Sequence, residues 1–415
     1  MTAKRRVVVT GIGCVTPLAQ NCADSWDALL AGKNGIKPLE NWDCSEYPVR
    51  IAGEIRDLDS SALLPPNKAA KLDRFVLLGM LAADEAVRDA GIEAQTPLAE
   101  SCGVIAGSGI GGLLEIEAQH RKLLEKGPRR VSPFLIPKLM LNALSGNISM
   151  RFGMKGVNFA TASACASAGH AIGMALRCIR YGDADIIVTG GAEAAITTLG
   201  MSGFANMKAL SRRNDDPEHA SRPFDKDRDG FVMGEGAGIL VVEELEHARR
   251  RGAKIYCELA GVGMTGDGYH ITQPAPEAEG AQRSMRRALE DGGIPLEEVD
   301  YVNAHGTSTP INDPNESLAI EKVFGDRASR LAVSSTKSMI GHLLGASAAV
   351  EAVVSCLSIL HGVVHPTRNL VEPGEGCRLD YVPEGSRDLN VRAAISNSLG
   401  FGGHNVTLAF RKLES

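Results

Sequence analysis

The stretch that decides the fold reads Asn158-Phe159-Ala160-Thr161-Ala162-Ser163-Ala164-Cys165-Ala166-Ser167-Ala168-Gly169-His170 and runs on to Tyr181-Gly182. Asn158 to Ser163 reads as a strand. Ala166 to Tyr181 reads as a helix, with Ile172, Leu176 and Ile179 on one face and Gly182 as its stop. Only small residues lie between, so the backbone is free to turn sharply there. A second stretch follows the same plan: a strand over Leu331–Ser335, small polar residues, then an apolar run from His342 to His361 that reads as a buried helix interrupted by Glu351. A strand that ends in small residues and feeds a buried helix, met twice, implies a duplicated α/β fold.

The rest of the chain agrees. Strand-like and helix-like segments alternate throughout, among them a strand over Arg6–Thr10, a helix over Leu72–Ala90 closed by Gly91, a strand over Cys102–Gly107 and a strand over Gly238–Val242. The second half adds a strand over Lys254–Met264, a helix over Glu277–Asp291 and strands over Ala393–Ser398 and Asn405–Arg411. At 415 residues the chain exceeds one ordinary core. No linker divides it, so the expected halves are 1–254 and 255–415. Hydrophobic residues at 44% and charged residues at 23% suit a globular protein, and the 46 glycines mark turns and close approaches, not disorder.

A net charge of −6 gives no reason to expect nucleic acid. No run long enough for a signal peptide or a membrane span is evident, since the 343–360 stretch carries Glu351. Nine dispersed cysteines without a C-x-x-C pair read as reduced thiols in a cytoplasmic compartment, or in an organelle stroma or matrix if a transit peptide has been removed.

Cys165 stands out because it sits at the strand–helix joint. There the free N–H groups and dipole of a helix start favour a thiolate and can hold an oxyanion. A buried structural cysteine beside a helix start would fit the same pattern. His305 lies in Asn303-Ala304-His305-Gly306-Thr307-Ser308-Thr309-Pro310, where a strand gives way to hydroxyl-rich loop. His342 lies in Ser335-Thr336-Lys337-Ser338-Met339-Ile340-Gly341-His342, at the expected start of the apolar helix, a place that keeps an imidazole neutral. Lys337, set among small and apolar residues, calls for a carboxylate. The turn Gly400-Phe401-Gly402-Gly403 lets one aromatic swing.

These motifs, with Asn397-Ser398-Leu399, Arg222-Pro223-Phe224-Asp225 and Arg228-Asp229-Gly230-Phe231-Val232-Met233-Gly234-Glu235-Gly236, resemble the elongating β-ketoacyl-acyl carrier protein synthases of type II fatty acid synthesis. The likeness is nearest to the ketoacyl synthase II branch and the related plastid type I enzymes, and it covers essentially the whole chain. It implies a thiolase fold, with duplicated mixed-sheet halves in an αβαβα layered sandwich, and a homodimer. It implies that Cys165 takes an acyl group from an acyl carrier protein. His305 and His342 then promote decarboxylation of malonyl-acyl carrier protein, and the backbone N–H groups of Cys165 and Phe401 hold the tetrahedral oxyanion.

By the same likeness Lys337 pairs with Glu316, Thr307 and Thr309 hold the phosphopantetheine arm, and Phe401 gates. Ile110, Phe204, Phe231 and Leu399 match substrate-binding positions. No metal or organic cofactor is implied, since the malonyl carboxylate supplies the driving force. Three basic clusters are candidate seats for the acidic carrier protein: Lys68, Lys71 and Arg74; Arg129 and Arg130; Lys208, Arg212 and Arg213.

The sequence departs from the family pattern at Asn312, Pro314, Ser347-Ala348 and Leu399. Asn312 and Pro314 put the placement of Glu316 against Lys337 in question, and Leu399 the gate. A thiolase would carry a second cysteine where the 400–403 turn stands, and Cys377 in Glu375-Gly376-Cys377-Arg378 is no such context. An initiating ketosynthase pairs its cysteine with His and Asn. A non-catalytic chain-length partner lacks the nucleophile. A cysteine hydrolase of another fold would need no malonyl donor. A type II polyketide ketosynthase subunit shares the Cys-His-His set and stays open as the alternative.

Overall fold

The computed structural model describes residues 4–61, 63–92 and 99–413. Its main frame is ten strands: β1 Val7–Val15, β2 Cys102–Gly107, β3 Asn158–Thr161, β4 Ile186–Glu193, β5 Gly236–Glu244, β6 Cys257–Gly266, β7 Val299–Asn303, β8 Ala332–Ser334, β9 Ala393–Gly400 and β10 His404–Arg411. Five helices build the layers: α1 Arg74–Asp89, α2 Ser167–Tyr181, α3 Glu279–Gly292, α4 Asn312–Phe324 and α5 Ser347–His361.

The strand order is β3-β2-β4-β5-β1-β6-β10-β9-β7-β8. The seam between β1 and β6 is slight, resting on the pairs Val8–Glu258 and Val9–Cys257. Outward from that seam each set of five has the same order: first strand, fifth, fourth, second, third. The directions repeat too. The first three neighbours in each set pair antiparallel and the outer ones parallel. In both sets a central helix, α2 or α5, follows the third strand.

That repeat dictates the layers. Helix α1 packs on β1, β4 and β5 from outside, and α3, backed by α4, packs on β6 and β10. Helices α2 and α5 touch each other and lie between the two sheets. One apolar cluster fills the middle layer, and two others fill the spaces under α1 and under α3 with α4. The arrangement is the expected αβαβα sandwich. Helix α5 is buried from Ser347 to Ile359. The window Leu344–His361 has mean hydropathy 1.6 and is 89% buried inside the protein, so its apolar character on every side belongs to a core helix.

Two boundaries differ from the sequence reading for local reasons. Helix α1 starts at Arg74, not Leu72, because the Asp73 carboxylate caps it by accepting from the Phe75 N–H. The helix expected from His342 starts at Ser347. Gly341 (φ 73°) and Leu344 (φ 47°) both adopt left-handed backbone and break the run into short turns.

Close approach of the central helices needs glycine in the strands. A Cβ at Gly238 in β5 would lie 2.5 Å from the Val350 nitrogen of α5. One at Gly107 in β2 would lie 2.5 Å from the Ser167 carbonyl carbon. Gly238→Ala is therefore expected to cost about 2 kcal/mol or more by forcing α5 off the sheet. Thermal unfolding checks this, and an unchanged midpoint would contradict the packing.

Candidate active site

The nucleophile's turn is built from its own neighbours. Ala164 is held at φ 50°, a costly conformation for a residue with a Cβ. The Ser167 hydroxyl stabilises it, accepting from the Ser163 N–H at 2.9 Å and donating to the Ala164 carbonyl at 2.7 Å. Cys165 is thereby presented at the floor of a cavity of about 370 Å³. From the other half the 400–403 turn comes so close that a Cβ at Gly400 would sit 2.8 Å from the Ser163 carbonyl oxygen.

His342 Nε2 lies 3.1 Å from Cys165 Sγ. Its Nδ1 accepts from the Leu344 N–H at 3.2 Å and faces the Ser347 hydroxyl at 2.9 Å. A nitrogen that accepts a backbone N–H carries no proton of its own, so the neutral ring bears its proton on Nε2, toward the sulfur. The His305 ring stands across it, centroids 5.3 Å apart and nearly perpendicular. His305 is placed by its own backbone: Glu316 accepts from the N–H groups of His305 and Gly306, each at 2.8 Å, and from Asn397 Nδ2 at 3.2 Å.

Charge then fixes the protonation states. Burial lowers the pKa of both imidazoles well below the ordinary histidine value, and the Lys337 ammonium lowers them further. Burial pushes the Cys165 thiol up to about 11, against the pull of Lys337 and of the Phe401 and Cys165 N–H groups. Burial is the largest influence on that sulfur, and the resting group is a thiol. Burial also raises the Glu316 carboxyl to about 7.

Several expectations meet here. Phe204, Phe231, Thr307, Thr309, Leu399 and Phe401 line the same cavity as Cys165, His305 and His342. The Thr307 and Thr309 hydroxyls lie 2.9 Å apart. Ile110 is not on that lining but behind it, packed in a cluster with Phe204, Phe231 and Leu344. Of the departures, Leu399 lines the cavity. The Asn312 N–H donates to Thr309 Oγ1 at 3.2 Å, and Ser347 touches the catalytic candidate His342.

Two expectations fail. Lys337 does not pair with Glu316. Its ammonium is buried against Glu351 of α5, while Glu316 is engaged by backbone N–H groups. Glu351, the lone charge in an apolar helix, was the signal for this partner. His342 is not at a helix N-terminus, since α5 starts five residues later and the His342 N–H donates instead to the Val232 carbonyl at 2.7 Å. Its neutrality comes from burial and Lys337. Of the basic clusters, Arg74 is spent in an ion pair with Glu235, whereas Lys68, Lys71, Arg129, Arg130, Lys208 and Arg212 are exposed.

The Cys165, His305 and His342 ligand atoms lie within 4.8 Å of one another. Such a set would accept a soft divalent cation, which would occupy the nucleophile itself.

A strained nucleophile turn facing two neutral imidazoles across the junction of duplicated halves defines a thiolase-type condensing enzyme. The family models for the β-ketoacyl synthase N-terminal and C-terminal domains match residues 4–248 and 256–371, and the chain belongs to the β-ketoacyl synthase family. It is 52% identical over 410 residues to a 3-oxoacyl-[acyl-carrier-protein] synthase 2 of Coxiella burnetii, covering 99% of each chain. Among solved structures it resembles a β-ketoacyl synthase from Burkholderia phymatum (TM-score 0.92, 36% identity, 99% of this chain and 100% of that one). It also resembles the ketosynthase of a type II polyketide system solved with its acyl carrier protein (TM-score 0.90, 32% identity, 99% and 100%).

Ser347→Ala would remove one of the two donors that face His342 Nδ1. At about 1 kcal/mol for such a bond, turnover is expected to fall about fivefold, while Cys165 keeps its rate of alkylation by iodoacetamide. Unchanged turnover would show that the hydroxyl does not hold the ring.

Proposed function

We propose that the chain is a β-ketoacyl-acyl carrier protein synthase of type II fatty acid elongation, an acyltransferase that condenses an enzyme-bound acyl group with malonyl-acyl carrier protein. The observation that carries this reading is the 3.1 Å approach of His342 Nε2 to Cys165 Sγ, with His305 alongside and both rings kept neutral.

The chemistry follows. Cys165 Sγ attacks the acyl thioester, the carbon–sulfur bond to the carrier breaks, and the thiol proton leaves with the carrier's thiol. The malonyl thioester then enters past Thr307 and Thr309. Its carboxylate leaves as CO₂, and the electron pair of the broken carbon–carbon bond becomes an enolate. Neutral N–H donors on His305 and His342 stabilise that oxygen, a contribution of about 10²–10³ in rate for one such donor. The enolate carbon attacks the acyl–Cys165 carbonyl. The N–H groups of Cys165 and Phe401, which pull the thiol's pKa down, receive the tetrahedral oxyanion. Collapse expels the Cys165 thiolate and leaves a 3-oxoacyl thioester on the carrier. Lys337 and Glu316 act through the histidines, one by charge and the other by holding the His305 loop.

Lys208, exposed and on the cavity lining, suits the approach of an acidic carrier protein. A homodimer is supported by β3, which closes the sheet as an edge strand with Asn158 and Phe159 exposed, and by Met150, 75% exposed, on the helix packed beside it. We take the halves to be 1–254 and 255–415, meeting at the β1–β6 seam, and the compartment to be cytoplasmic or an organelle interior.

Intact mass after incubation with an acyl-acyl carrier protein tests the reading. An acyl adduct is expected on the wild type and not on Cys165→Ala, discharged as 3-oxoacyl product when malonyl-acyl carrier protein is added. No adduct, or one released as free acid without malonyl donor, would contradict it. A chain-length series separates fatty acyl from polyketide supply.

A further inference from the structure

Glu193 ends β4 completely buried, and among the described residues no lysine or arginine pairs with it. Only donors meet its carboxylate. Oε1 accepts from the Ser108 hydroxyl at 2.9 Å and from the Ile110 and Gly111 N–H groups at 3.2 and 3.3 Å. Oε2 accepts from the Gly109 N–H at 2.7 Å and the Gly345 N–H at 3.1 Å. Five donors require a group that accepts on both oxygens, which an amide cannot be.

The two loops held this way are far apart in sequence and too close in space for side chains. A Cβ at Gly345 would lie 2.2 Å from the Gly109 nitrogen, and one at Gly109 would lie 2.9 Å from Glu193 Oε2. Each loop carries part of the site. The first carries Ile110, which packs behind the cavity-lining side chains Phe204, Phe231 and Leu344. The second carries Leu344, whose N–H sets the tautomer of His342. Phe231 closes the circuit, its ring edge-on to His342 with centroids 5.2 Å apart.

We propose that Glu193 is a positioning residue that couples the Phe204–Phe231 wall, backed by Ile110, to His342, so that the acyl group accommodated against that wall sets the alignment of the imidazole that stabilises the enolate. Without the carboxylate, the wall moves independently of the Leu344–Gly345 backbone. His342 then loses its fixed donor direction, and the rate no longer depends on what the wall holds. The proposal rests on the condensing function given above and adds to it a residue that ties acyl-chain selection to the decarboxylation step.

The test is Glu193→Gln, assayed with short, medium and long acyl-acyl carrier proteins beside the wild type. kcat is expected to fall about ten- to hundredfold, the range for hydrogen bonds to a buried charge. KM for malonyl-acyl carrier protein should stay within about twofold, and the chain-length preference should flatten. Wild-type kcat and profile in a folded variant would overturn the proposal, as would a uniform loss of rate that leaves the profile intact. If Glu193→Gln does not fold, Ser108→Ala decides, since it keeps the carboxylate and removes one donor to it. A shifted chain-length ratio is expected with normal iodoacetamide alkylation of Cys165, and a wild-type ratio would overturn the coupling. Failure of the wild type itself to condense would instead overturn the functional reading.

Discussion

A buried ion pair, set beside a thiol and two neutral imidazoles, conditions this site. Lys337 and Glu351 are each 1% exposed, and their ion pair sits where water cannot screen it. Desolvating two charges is expensive, and losing either partner strands the other at a cost of about 3–5 kcal/mol. What the pair provides is a fixed positive potential beside Cys165, His305 and His342. That potential adds to burial in denying a proton to both imidazoles, and it partly offsets burial at the thiol. Condensation needs this division: N–H donors that do not become cations, and a sulfur that can leave and return as a thiolate.

The duplicated fold explains how such a cluster assembles. Each half delivers a strand, a tight turn and a central helix, and the two helices pack together between the sheets. The first half supplies Cys165 from its turn. The second half has used the equivalent region differently: its turn is opened by left-handed Gly341 and Leu344, and the space gained holds Lys337 and His342. The β1–β6 seam can be slight because the middle layer, not the seam, joins the halves.

Much of this was legible along the chain. The 158–182 stretch forms the strand, turn and helix its residues imply, with Gly182 (φ 90°) ending α2. The three reactive side chains could be named because each sits in a distinctive local context. The errors came where tertiary contacts decide. Gly341 gives a hint of the break before α5, but left-handed Leu344 gives none. The family likeness pairs Glu316 with Lys337, yet backbone N–H groups, which no residue name reports, claim it first. Nothing in the sequence marks Glu193 for the same reason: four of its five donors are backbone. At Cys165, burial, whose depth only packing reveals, raises the pKa of a thiol that a helix start favours as thiolate.

The most direct measurement is the nitrogen chemical shift of the His305 and His342 imidazoles in histidine-labelled protein, assigned with His305→Ala and His342→Ala and followed with pH. The expected result is a neutral His305 and a neutral His342 protonated on Nε2, both unchanged from about pH 8 to about pH 5, where ordinary histidines titrate. An imidazolium at either position at neutral pH, or His342 protonated on Nδ1, would contradict the account.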